Sequence, residues 1–160
     1  MDGQAPLGPV CNRVRMPTVQ DLVECADAHL AHYVDPTNSR AFATYDRTGD
    51  PGRIEPTDIL APALLDAAVP GRHVIAMYLP TGPHRRLREA LDAVVTDPEA
   101  ADARFEDQDL DAEAGPWALV KAALVASNDA TGFRAAKVTK ILHRKRPHLV
   151  PIFDSKVAWL

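Results

Sequence analysis

PWALVKAALVASNDATGFRAAKVTKILHRK, residues 116–145, is the stretch whose reading decides the fold. Pro116 suits the first turn of a helix, where no amide hydrogen is needed, and the apolar run behind it continues to Ser127. NDATG then breaks the pattern, and a second helix is expected from Phe133. At 100° per residue Val138, Ile141 and Leu142 fall on one face of that helix, while Lys137, Lys140 and Arg144 share a flank. The expectation is an antiparallel pair of helices joined by a tight turn at Gly132. The amides of Phe133 to Ala136 should be free, and free first-turn amides bind phosphate, helped by the helix dipole.

Charge sharpens this. The chain has 18 Lys and Arg against 22 Asp and Glu, yet from Arg134 onward it carries seven cations (Arg134, Lys137, Lys140, Arg144, Lys145, Arg146, Lys156) and one acid, Asp154. Residues 1–133 are left with 11 basic and 21 acidic positions, so a cationic end is joined to an acidic body. That asymmetry points the end toward a polyanion.

The 160 residues, 46% hydrophobic and 25% charged, suit one domain with a real core. Aromatics are sparse, Ala is abundant and alternating β-branched runs are scarce, so the expected fold is all-α, a single compact multi-helix domain. Helices are expected from Thr18, from Thr57 (with a kink or late start at Pro62), over HVIAMYL, from Pro83, from Pro116 and from Phe133, with a further one starting at Asp154. Residues 1–16 read as a flexible lead-in and 17–160 as the domain; 39–56 reads as a long surface loop. Residues 96–115, with eight acids against one Arg, read as a mobile acidic loop. The chain ends on AWL six residues after Asp154, where a helix has only begun, which reads as truncation. No apolar run reaches the roughly 20 residues of a membrane span and no signal peptide is recognisable, so the reading is cytoplasmic, with Cys11 and Cys25 reduced.

TGFRAAKVTKIL resembles the helix-hairpin-helix signature of DNA glycosylases: Gly132, Phe133, Val138, Ile141 and Leu142 fall on its patterned positions. That family places a catalytic aspartate sixteen residues after a patterned Ala, and Asp154 lies sixteen residues after Val138. Arg134 stands where the signature has its second glycine, and Ala136 stands where bifunctional members carry a Schiff-base lysine. The resemblance therefore implies a duplex-DNA-binding protein with a helix-hairpin-helix near its C-terminus, contacting nucleic acid through Gly132, Phe133, Arg134, Lys137, Lys140, Arg144 and Lys145. Any catalysis would be monofunctional base excision with Asp154 stabilising oxocarbenium-like charge; whether the chain is an enzyme at all is left open. Residues 20–160 also resemble an uncharacterised actinobacterial family of unknown function, through KRPHLVPIFD and RIEPTDILAPALLDAAVP.

Each reading has a plainer rival. Asp154 is well suited simply to cap the helix it precedes. The basic segment could instead dock on the chain's own acidic loop, making this a non-catalytic interaction or structural domain. Cys25, His29 and His32 share one helix face at spacings zinc accepts, but His29 sits in an apolar stripe where a hydrogen-bonded core histidine is commoner. Neither metal nor cofactor is assigned. Arg85, Arg86 and Arg88 read as a solvated face, and Trp117, Phe133, Phe153 and Trp159 as core.

Overall fold

The computed structural model describes residues 25–28, 31, 45 and 49–153. The expected lead-in, the start of the helix at Thr18, His29, His32, Asp154 and Trp159 lie outside these. The chain divides into two compact units, Met1–Ala43 and Thr44–Leu160. In the first, residues 26–28 are helical and Cys25 is buried and disulfide-bonded. This corrects the expectation of reduced thiols, which rested on an assumed compartment and not on any knowledge of which cysteines meet in space.

The regular elements in the described part of the second unit are all helical, with no strand among the described residues. Its first element, α1 (Pro56–Leu60), starts with Pro56 and is capped by Glu55, two residues ahead of the expected Thr57 cap. It stops where Pro62 cannot donate to the carbonyl of Asp58, and the chain tightens into a 3-10 turn, Ala61–Leu65, that ends on Asp66 at φ 57°. Helix α2 (Gly71–Tyr78) confirms HVIAMYL as helix; Leu79 turns extended ahead of Pro80, as a residue before proline must. Helix α3 (Arg85–Thr96) buries Leu87, Leu91, Val94 and Val95 on one stripe. Full burial of such side chains is worth roughly 1.5–3 kcal/mol each.

The acidic segment is more ordered than its composition suggested. It forms a short helix, α4 (Glu99–Asp102), and a 3-10 turn, Phe105–Asp107. Phe105 packs edge-on against Trp117 with ring centroids 5.1 Å apart, and Lys121 donates to the carbonyls of Leu110 and Ala112 at 2.9 and 2.8 Å. One aromatic residue and a lysine outside the segment thus tie down what charge density alone would have left loose.

Helix α5 (Pro116–Asn128) begins on Gly115 at φ 90° with Pro116 in its first turn. Its buried residues include Ala123 and Ala126, small enough to let it pack closely on α3. Helix α6 (Ala135–Lys145) follows, with Val138, Ile141 and Leu142 buried as their spacing required. The break between α5 and α6 is real and Gly132 lies in it at φ 88°, a left-handed backbone that suits glycine.

Candidate functional site

Helix α6 carries most of the residues singled out from the sequence, and its two ends differ. At the C-terminal end Lys140, Arg144, Lys145 and Arg146 are all buried. Arg144 Nε lies 2.8 Å from Asp58 Oδ1 and Lys145 Nζ 2.9 Å from Asp58 Oδ2, with all three side chains nearly inaccessible. Asp58 also accepts from the Glu55 amide at 2.8 Å. Lys145 donates to the carbonyl of Asp50 at 2.6 Å, and Lys140 to that of Leu65 at 3.0 Å, at the end of the 3-10 turn. Arg146 donates to Pro51 at 3.1 Å and to Val95 in the last turn of α3. Burial pulls the Arg146 pKa down, and Asp97 offsets part of that.

Here the cations meet carbonyls that helix ends and loops leave without partners, as cationic side chains do at helix C-termini. The tyrosine hydroxyl of Tyr45 donates to the carbonyl of Lys140, and its ring lies 5.8 Å from the Arg144 guanidinium carbon. Intramolecular docking of the basic segment is therefore present, but its carboxylate is Asp58, not the acidic stretch from 96 to 115. Three interactions do reach that stretch: the field of Asp97 on Arg146, that of His148 on Glu106, and a bond of 2.8 Å from the Phe105 amide to the carbonyl of His148. Asp58 was missed from the sequence; an acid in the third position of a proline-led helix reads as a capping residue, and nothing local says that two cations will reach it.

The N-terminal end faces outward. Gly132 and Arg134 are exposed and Lys137 is half-buried, its Nζ donating to the carbonyl of Gly132 at 2.8 Å. Phe133 is buried, and its amide donates to Ala130 at 2.9 Å, so it is not among the free amides expected. Ala135 and Ala136 begin the helix and have no acceptor within it, and Arg134 as cap adds no side-chain acceptor. Against this turn rests His73 of α2: a Cβ on Gly132 would lie 2.8 Å from His73 Nε2. His73 Nδ1 is 3.0 Å from Nε2 of the buried His84, and Phe133 meets both rings edge-on. Burial, then Arg72, His84 and Lys137, pull the His73 pKa down.

A separate cleft of about 470 Å³ is lined by Arg53, Ile54, Glu55, Pro56, Tyr78, Arg88, Asp92 and Thr96. Its charges are matched: Arg53 with Glu55, and Arg88 Nε 3.3 Å from Asp92 Oδ2 with its guanidinium 4.6 Å over the Tyr78 ring. The Tyr78 hydroxyl donates to Ile54 at 2.8 Å and burial pushes its pKa up to about 12, so it stays protonated. Of the other arginines, Arg85 pairs with Glu89 at 2.6 Å and Arg86 with Asp129 at 3.4 Å on open surface. Trp117 is core, as expected, and Phe133 with it, whereas Phe153 is exposed. Among the described residues no group of His, Cys, Asp and Glu is arranged to hold a metal ion. No described helix is long and apolar enough to cross a membrane.

Fold and surroundings define the class, an all-α multi-helix domain whose basic helix α6 is anchored at one end and open at the other. The chain belongs to a family of unknown function, DUF6308, whose model matches residues 26–159. Comparisons with curated proteins and with solved structures give no match.

Proposed function

We propose that this domain binds the phosphate backbone of duplex DNA through the turn at Gly132, in the manner of a helix-hairpin-helix. The observation that carries the reading is the turn itself. Gly132 at φ 88° exposes the start of an eleven-residue helix, with Arg134 exposed beside the Ala135 and Ala136 amides and Lys137 at the rim. Arg72, exposed and close enough to His73 to shift it, adds a third cation. Of the contact residues read from the sequence, Gly132, Arg134 and Lys137 are kept. Lys140, Arg144 and Lys145 are engaged inside the protein and Phe133 supports the turn from beneath.

Three phosphate contacts give a slope of log affinity against log salt of about −2.7. Titration of a labelled duplex into the parent and into Lys137→Glu tests this, the variant flattening the slope by about one. A folded parent with no affinity at low salt ends the proposal. For Asp154 the reading is the carboxylate of a monofunctional base-excision reaction. A panel of damaged duplexes treated with alkali after incubation should reveal abasic sites with the parent and none with Asp154→Asn, which keeps DNA binding.

The second reading, a non-catalytic structural or interaction domain, is favoured by one observation: the greater part of the positive charge on α6 is buried in internal bonds. Absence of binding by both the parent and Lys137→Glu is its expected result.

A further inference from the structure

The turn at Gly132 is held from one side by two histidines, and their hydrogen bond has no place for an added proton. His73 Nδ1 and His84 Nε2 are 3.0 Å apart, so one must donate and the other accept. His84 Nδ1 is buried without a partner. A bare acceptor there is less costly than an orphaned N–H. That preference puts the proton on His84 Nε2, donating to His73 Nδ1, and leaves His73 Nε2–H facing the Gly132 turn.

Acid acts on this bond through His73. Protonating His73 at Nδ1 sets two donors against each other across the 3.0 Å contact. The charged groups bearing on His73 are Arg72 on its own helix, Lys137 on α6 and His84 itself, all of the sign that resists protonation. Arg86 on α3 is paired with Asp129 ahead of the turn. Phe133, within the turn, meets both rings edge-on and so connects the pair to it.

We infer that the His73–His84 pair is a proton-sensitive latch on the Gly132 turn, holding it while His73 is neutral and releasing it when His73 is protonated. The sign follows from linkage. The unfolded chain takes up a proton on His73 near the ordinary histidine value of about 6.5, and the folded chain takes it up lower. The latch is intact above that value and weakens as pH falls below it. Its regulatory sense rests on the phosphate-binding reading, but the test runs on the protein alone, so either can fail without the other.

Amide exchange of Phe133 and Val138 is followed from pH 7.5 to 5.5 and corrected for intrinsic rates. In the parent, protection should fall on the order of tenfold for each pH unit by which the folded-state titration of His73 is depressed. His73→Asn/His84→Gln places amides near the two bonded nitrogens, keeps a hydrogen bond between them and removes both titrations; its protection should be flat over the range. Unchanged protection in the parent, or the parent's profile persisting in the double variant, overturns the latch. Should the double variant fail to fold, ring-nitrogen NMR of the parent decides. A depressed midpoint for His73 supports the latch, and an ordinary midpoint for it near 6.5 overturns it.

Discussion

The two ends of α6 present the same kinds of side chain in opposite settings. At the C-terminal end Arg144 and Lys145 converge on Asp58, and all three side chains are 3% exposed or less. At the N-terminal end, seven to eleven residues earlier, Arg134 and Lys137 border a glycine turn open to solvent. What separates them is partner chemistry. Carbonyls and a carboxylate approach the first end from α1 and the loop ahead of it, while the second meets an aromatic ring, two imidazoles and only the carbonyl of its own turn, Gly132. Positive charge along a helix therefore says little about binding until the elements packed against each turn are known.

The comparison breaks most sharply at Asp58. Replacing it with alanine leaves two buried cations without their carboxylate, and equilibrium denaturation should show a loss of about 3–5 kcal/mol. The triple replacement Asp58→Leu/Arg144→Met/Lys145→Met should recover most of that, because buried ion clusters are weak net stabilisers relative to apolar packing. Gly132→Ala comes next. Its Cβ meets His73 Nε2 at 2.8 Å on a backbone of φ 88°, and thermal unfolding should report about 1–3 kcal/mol of destabilisation. Lys137→Ala is the mildest for stability, within about 0.5 kcal/mol by the same measurement, while duplex affinity at low salt falls.

The sequence made much of the architecture visible. Proline-led starts, the NDATG break and the stripe of Val138, Ile141 and Leu142 placed α5, the turn and α6 because those signals act within a few residues. What stayed hidden is long-range. No local pattern tells that Asp58 will be reached from α6, that Lys140 will meet Leu65, or that Phe105 and Trp117 will order an acidic segment. The same holds for His73 and His84, which lie on different helices, and for Arg88 stacked on Tyr78. The surplus of cations after Arg134 was legible as a surplus; whether each one faced solvent depended on partners that sequence spacing does not supply.

The ion cluster also bears on how the chain is made. Asp58 and Arg144 are 86 residues apart. At synthesis rates of 5–20 residues per second, Arg144 follows Asp58 by roughly 4–17 s. Through that interval the carboxylate has neither of its cations and stays in water, and a five-residue helix is too short to persist alone. The region made first in the described part of this unit is thus among the last to settle, and it waits, during translation, as an open end that a chaperone or a protease can reach.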